Sequence, residues 1–370
     1  MSVPRVGFYV HYHGRGHKHR TEAILKHLTI PSSVVTSRID KLPWSGPTLS
    51  EVIGIECDNE GLNEEGLDYV ADVPSLHFAP LWSHNITDRV AAYTKWLATA
   101  KPDLMVVDVS AEISMLTRLA SVPQIVMRQH GDRSDPAHIN AYAAAHSLLA
   151  PFPEMMEDSI TPAWIKQKTV YLDGFCRHTN TTSSDTTDKP LSTEREPNNT
   201  IAFLFGRGGS GDVHSRLRDA ALALPSHQIL VVGKEANESN HPSNLHYLGW
   251  VDNASAYCQS ADVVVTAAGH NSVMELGHSR CKFIAIAEPR PFAEQIRKVQ
   301  ILQREELAVG LEQWPTPHTW PSLVQSALSL DTSKWDHVFR NDGAKQAAKH
   351  IEQVALWSHN KRHHSETISI

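Results

Sequence analysis

The sequence has few cysteines and no pattern that pairs them. Cys57, Cys176, Cys258 and Cys281 are scattered, and no CxxC spacing occurs, which argues against a zinc site or a redox dithiol. Isolated cysteines of this kind fit a reducing compartment. Long apolar runs are also missing: nothing approaches the ~20 residues needed to cross a bilayer. The first apolar run, Val6–Val10, is too short for a signal-peptide core. The expectation is a cytoplasmic protein without a transmembrane segment, with peripheral membrane contact left open. Positive charge is not in excess either. A formal net charge of −7 gives no electrostatic footprint for nucleic acid.

What is present fits two α/β domains. The 370 residues suit two domains of roughly 150–180 residues each. With 41% hydrophobic and 20% charged residues, each half can bury a core of its own. Short apolar runs at Val6–Val10, Leu104–Val107, Gln124–Met127, Ile201–Phe205, Ile229–Val232, Val263–Thr266 and Phe283–Ala287 read as buried strands. Amphipathic stretches lie between several of them, at Thr21–Leu28, Glu112–Ala120, Val213–Leu224 and Ala293–Leu307. Such alternation predicts parallel sheets covered by helices on both faces.

Composition breaks after residue 176. Thr179–Pro190 holds no large apolar side chain and reads as an interdomain linker. The expected division is an N-terminal Rossmann-like domain over 1–176, a linker over 177–199 and a C-terminal Rossmann-like domain over 200–335. A helical segment over 336–358 is expected to pack back on the N-terminal domain, followed by a flexible tail over 359–370. Ala347, Ala348, Ile351, Val354 and Ala355 give that last helix its apolar face.

Four motifs carry chemistry. In Val10-His-Tyr-His-Gly-Arg-Gly-His17, two glycines follow a strand and His17 stands where a helix begins. The positive end of a helix disfavours an added cation, so a histidine there suits a general base; the alternative is a histidine that merely caps the helix. His11, His13, His17 and His19 crowd this loop. Without a carboxylate or thiolate partner they read as solvated side chains, and no metal site is expected. Asp108 ends the strand Leu104–Val107, and strand carboxyl ends face the ligand crevice of open parallel sheets. There Asp108 can orient His17, or it can simply cap the next helix.

The third motif, Gly206-Arg-Gly208-Gly209-Ser210-Gly211, joins a strand to a helix and can cradle phosphates with backbone N–H groups. It also fits the dinucleotide pattern G-x-G-x-x-G. The fourth is Ala261-Asp-Val-Val-Val-Thr-Ala-Ala-Gly269-His270-Asn271-Ser272-Val-Met-Glu275-Leu-Gly277. Its helix start offers free N–H groups to a phosphate, and Glu275 lies one turn in, where it can accept both hydroxyls of a ribose. The competing reading of Ser272-x-x-Glu275 is a capping box.

These segments resemble GT-B glycosyltransferases, in particular family 28, which includes the N-acetylglucosaminyltransferase of peptidoglycan synthesis, and the UDP-dependent enzymes. Gly208-Gly209-Ser210-Gly211 resembles the family's diphosphate loop, and Gly269-His270-Asn271-Ser272-x-x-Glu275 resembles its Gly-Trp-Asn-Ser-x-x-Glu segment. Glu294-Gln295 is similar to the acidic-Gln pair that holds the donor sugar, and Trp250-Val251 falls where the family cradles uracil. Gly16-His17 resembles the loop of the catalytic base, with Asp108 at the base-orienting position. Two positions depart from the UDP-dependent pattern. Ala267 stands where those enzymes often carry a phosphate-binding histidine, and His270 replaces their tryptophan.

The resemblance implies a GT-B fold, two Rossmann-like domains with parallel sheets facing each other across a cleft. It also implies inverting transfer of a sugar from a nucleotide-diphosphate donor, expected to be a UDP-sugar, to an acceptor hydroxyl. His17 is the expected base and Asp108 its partner. Gly208, Gly209, Ser210, Trp250, Val251, Gly269, His270, Asn271, Ser272, Glu275, Glu294 and Gln295 are the expected donor contacts. His13, Arg20, Arg128 and His130 are candidates for the acceptor side, the acceptor being a glycan, a lipid-linked group or a small molecule. No suitably placed DxD motif occurs, so metal independence and no cofactor beyond the nucleotide sugar are expected. Hydrolysis of the nucleotide sugar, a non-catalytic sugar-nucleotide-binding subunit, and an NAD-type dehydrogenase resting on Gly206–Gly211 are the alternatives.

Overall fold

Among the described residues every strand pair is parallel, as expected of apolar runs separated by amphipathic helices. The computed structural model describes residues 3–12, 16–39, 43–176, 199–205, 213–236 and 241–368. The expected linker over 177–199 lies almost wholly outside them, as do His13, Gly208, Gly209 and Ser210.

The chain divides into two units. The first comprises Met1–Glu154, Ser159–Gly174 and Asn341–Ile370; the second comprises Met155–Asp158 and Phe175–Arg340. In order, the first contains β1 (Val6–Tyr9), α1 (Gly16–Leu25), β2 (Ser32–Thr36), β3 (Leu49–Gly54), α2 (Glu64–Leu67), α3 (His84–Ala100) and β4 (Leu104–Asp108). It continues with α4 (Ala111–Leu119), β5 (Gln124–Met127), α5 (Pro136–Ala144), β6 (Ser147–Ala150), α6 (Ala163–Lys168) and β7 (Thr169–Tyr171). The strand order is β3-β2-β1-β4-β5-β6-β7. It reverses direction between β1 and β4, the kind of switch point where open α/β sheets bind ligands.

The second unit contains β8 (Thr200–Leu204), α7 (His214–Ala223), β9 (Gln228–Val232), β10 (Leu245–Gly249), α8 (Ala254–Ser260) and β11 (Val263–Ala267). It ends with α9 (His270–His278), β12 (Phe283–Ile286), α10 (Glu294–Arg304), β13 (Val309–Leu311) and α11 (Trp320–Leu328). Its order is β10-β9-β8-β11-β12-β13, with the switch between β8 and β11. The strand side chains Ile201, Phe203, Val263 and Val265 meet Leu217 of α7 and Trp320 of α11 in one buried cluster.

Met155–Asp158 belongs with the second unit because α10 holds it there. Arg297 donates from Nε to Asp158 Oδ2 at 2.7 Å and from Nη2 to Oδ1, while Arg304 donates to the carbonyls of Met155 and Glu157. The last helix, α12 (Gly343–Ile368), returns to the first unit and packs on α1 and β4. It does not stop near Trp357 in a flexible tail. Ser358 and His359 are buried, and His359 Nδ1 lies 3.2 Å from the carboxylate of Asp103. The helix continues to residue 368. Among the described residues no helix is long and apolar enough to cross a membrane.

Gly277 lies in the last turn of α9, and a glycine inside a helix costs up to about 1 kcal/mol relative to alanine. The face of Trp335 accounts for it. A Cβ at 277 would fall inside the Trp335 ring, which is fully buried and donates its indole N–H to the Leu307 carbonyl at 3.0 Å. We expect Gly277→Ala to overpack this contact and destabilise the protein by about 1–3 kcal/mol. Urea or thermal melts should show this as a lower midpoint, and an unchanged or raised midpoint would contradict the packing.

Candidate functional site

In the first unit, β1 and β4 pair with Val6 opposite Leu104 and Tyr9 opposite Val107. Their carboxyl ends are therefore level. The loop after β1 enters α1, whose second residue is His17, and β4 ends on Asp108. His17 Nδ1 lies 2.8 Å from Asp108 Oδ2, and Arg20 Nη2 donates to Oδ1 at 2.5 Å. Burial alone would raise the Asp108 carboxyl, but the Arg20 guanidinium and the His17 ring outweigh it and hold it well below the usual carboxylate range. An ionised carboxylate only accepts, so the His17 ring proton belongs on Nδ1 and Nε2 keeps its lone pair. Arg20 Nη2 also approaches Nδ1 at 3.1 Å. Two donors meet there around a shared acceptor, because a bare Nδ1 facing the carboxylate would cost more.

Neither capping alternative describes these residues. The cap of α4 is Ser110, whose hydroxyl oxygen accepts from the Ile113 N–H at 3.2 Å. Between it and Asp108 stands Val109 at φ 61°. A β-branched residue rarely enters the left-handed region, and such strain concentrates at functional turns. Arg20, a candidate for the acceptor side, is only 6% exposed and is committed to Asp108. Arg128 and His130 are buried as well. Arg128 donates to Thr169 Oγ1 at 3.0 Å and Thr161 Oγ1 at 3.3 Å, while His130 stacks on Phe152 with centroids 3.8 Å apart. These two side chains pack within the first unit instead of standing on its surface.

In the second unit, β11 ends at Ala267 and α9 begins at His270, capped by Gly269 with no side-chain hydrogen bond. Ser272 therefore lies in the first turn and Ser272-x-x-Glu275 is not a capping box. Asn271 and Ser272 are half-buried, and among the described residues nothing lies within 4 Å of where a Cβ on Gly269 would stand. The turn thus leads into a helix start, where backbone N–H groups point away from the helix and suit an anion. Gln295, a candidate sugar contact, is 4% exposed. Its Oε1 accepts from the Ala268 N–H at 3.1 Å and the Glu288 N–H at 2.9 Å, tying the two loops that follow β11 and β12. Glu294 remains half-buried at the start of α10, behind Phe292 and Ala293 at φ 59° and 52°. At the end of β10, Trp250 is 58% exposed and Val251 half-buried. Gly249 before them has φ +62°, and its missing Cβ makes room for the Glu235 carboxylate.

Sequence reading passed over one polar cluster in the first unit. Asp135 caps α5 and receives His77 Nε2 at 2.8 Å and His138 Nδ1 at 2.5 Å. Among the described residues these three form a group with metal-ligand spacing, all donor atoms within 4.8 Å. Arg133 Nη1 lies 3.1 Å from His138 Nε2 and must donate to it, which leaves the ring proton on Nδ1 facing Asp135. The arrangement is a hydrogen-bonded one. A metal would need that proton gone and Arg133 turned away. Asp135-Pro136 is readable as a helix start, but His77, far back in the chain, gives no sign of its partner.

Burial first, then the charge of Arg133, pushes His138 down to about 4 from 6.5. The folded protein thus keeps His138 neutral where the unfolded chain takes up a proton. The stabilisation is complete above about pH 6.5 and drains away as pH falls toward 4. Urea midpoints measured from pH 7 to 4.5 should fall more steeply for the native sequence than for His138→Gln. Equal slopes would contradict the assignment.

Residues 219–354 match the family model of the glycosyltransferase family 28 C-terminal domain. No curated protein matches the chain by sequence. Among solved structures, the chain is similar to MurG of Acinetobacter baumannii, with a TM-score of 0.63 and 14% identity over 96% of this chain and 99% of that one. It is similar to the glycotransferase of kitacinnamycin, with a TM-score of 0.66 and 13% identity over 96% and 100%. A third is Arabidopsis thaliana UGT89C1 complexed with UDP, with a TM-score of 0.62 and 13% identity over 96% and 99%. At such identities the likeness is one of fold. The chain has the GT-B fold and resembles family 28 glycosyltransferases.

Proposed function

We propose that this protein is an inverting glycosyltransferase that moves a sugar from a nucleotide diphosphate, preferentially UDP, to an acceptor hydroxyl, with no metal ion and no cofactor. The observation that carries this reading is the family 28 match over residues 219–354, because that stretch contains Gly269–Glu275. In this reading the start of α9, with Asn271 and Ser272, receives the diphosphate, and Glu275 holds the ribose. Trp250 and Val251 flank the base, Glu294 meets the sugar, and Gly208–Ser210 complete the phosphate loop.

The first unit supplies the base. His17 Nε2 takes the proton of the acceptor hydroxyl as its oxygen bonds to the anomeric carbon. The bond from that carbon to the phosphate oxygen breaks, and UDP departs with the electron pair. Asp108 holds the ring by Nδ1 and compensates the imidazolium as it forms. The helix start stabilises the charge that develops on the leaving diphosphate. Transfer takes place in the cytoplasm.

Melting temperatures measured with a panel of nucleotide sugars should rise with the true donor, since binding to the folded state alone stabilises it. With that donor, His17→Ala should lower the transfer rate by about 10²–10⁴-fold while leaving UDP affinity unchanged. Wild-type turnover in His17→Ala would remove the mechanism. Rapid release of free sugar from donor alone would make the protein a hydrolase.

A further inference from the structure

Trp82 is 64% exposed, more than any other aromatic side chain among the described residues, and nothing in the mechanism above uses it. Its indole meets the ring of Tyr69 edge to face, with centroids 5.5 Å apart. Leu67, Tyr69 and Leu81 are exposed as well. The backbone holds the group together from behind. The Leu81 N–H donates to the Gly66 carbonyl at 3.2 Å, and a Cβ on Gly66 would fall 2.0 Å from the Leu81 carbonyl oxygen. The Asn63 N–H donates to Ser83 Oγ at 3.2 Å. Thus α2 and residues 81–83 lie back to back. Apolar surface gathered in this way, with polar residues around it, marks a binding site.

The segment is tied to the loops that carry the base. Tyr12, five residues before His17, donates from its hydroxyl to Asp58 Oδ1 at 2.5 Å. The His77 and Phe78 N–H groups donate at 2.6 and 3.1 Å to Oε1 of Glu112, four residues after Asp108. Residues 58–83 are therefore a strap along the carboxyl edge of the first sheet, fastened to the β1 loop and to the start of α4.

Charge selects the occupant. From residue 42 to residue 88 the sequence has nine carboxylates and neither a lysine nor an arginine. Glu64, Glu65, Asp68 and Asp72, all exposed, flank Leu67 and Tyr69. Such a surface repels an anionic ligand or headgroup. An ammonium gains there twice, from the carboxylates and from the faces of the aromatic rings.

We propose that the strap bearing Tyr69 and Trp82 receives the acceptor, and that the acceptor is an apolar or aromatic alcohol carrying a positive charge. The inference rests on the transferase reading above and names the substrate class of its first-unit site. The apolar body of the acceptor covers Leu81 and Trp82, and its ammonium lies against the aromatic pair beside Asp68.

The test uses the full chain and two phenols of similar size as probes, tyramine with an ammonium and 4-hydroxyphenylacetate with a carboxylate. Titrations are followed by the indole N–H signals of tryptophan-labelled protein, with Trp82→Gly identifying the signal. Tyramine should shift Trp82 at a concentration about tenfold lower than 4-hydroxyphenylacetate does. Equal or reversed preference would overturn the proposal. Trp82 stands at φ 55°, a conformation glycine adopts freely, so Trp82→Gly should melt no lower than the native chain and yet lose tyramine. Native-like tyramine affinity in that variant would overturn the proposal, as would an unchanged ratio between the two probes in Asp68→Asn. Other occupants are tested with the same variant. A dimer in sedimentation that Trp82→Gly dissociates would assign the patch to a second copy, and loss of binding to phosphatidylglycerol vesicles would assign it to a membrane; either result overturns the proposal. UDP binding, measured on the same chain, separates the two readings. If UDP binds and neither phenol shifts Trp82, only this inference falls. If the native chain binds none of UDP, dTDP, GDP and ADP, the transferase reading falls and takes the acceptor assignment with it.

Discussion

The parallel ladder between β1 and β4 is the constraint from which the chemistry of the first unit follows. Its register sets two carboxyl ends level, with Tyr9 beside Val107. The next residues of each strand lead into a helix start and into Asp108. No local propensity of His17 or Asp108 would bring them to 2.8 Å across 91 positions of sequence. The ladder does it by fixing the backbone, and Arg20 on the same helix then supplies the charge that keeps the carboxylate ionised despite complete burial. Were the register to slip by one residue, every side chain of the strand would change face, and the His17–Asp108 contact would be lost with the core.

The second unit repeats the device with different parts. The β8–β11–β12 ladders place the ends of β11 and β12 side by side. Gln295 then bridges the two loops, and the same face of α10 reaches His270 through Lys298. In both units a buried polar side chain on a helix holds the turn that follows a strand. Such side chains are stable in the interior only because each finds a fixed partner there.

Strain marks the same places. Val109, Phe292 and Ala293 all adopt positive φ, and all lie within two residues of Asp108 or Glu294. Left-handed backbone at non-glycine positions costs about 1–3 kcal/mol each and persists only where surrounding structure demands it. Here the demand is to end a strand abruptly and begin the next element in a new direction at the carboxyl edge of a sheet.

The amino-acid sequence by itself determined the α/β class, most central strands and the two-part division, because apolar runs and helical periodicity are local signals. The edge strands β3, β7, β10 and β13 escaped it, as did β2 and β6: the edge strands are partly exposed, so their polarity resembles that of loops. The sequence also pointed to His17, Asp108 and Gly269–Glu275, where a glycine, a helix start and a polar side chain occur together. Only tertiary structure decided what Arg20, Arg128, His130, Gln295 and Lys298 do. The sequence analysis offered the first four as ligand contacts and passed over Lys298, yet each is buried against a partner brought by the fold. The helix beyond Trp357 was decided the same way, by the contact of His359 with Asp103. Whether a polar group sits in water or in the core depends on long-range partners, and linear spacing does not encode those.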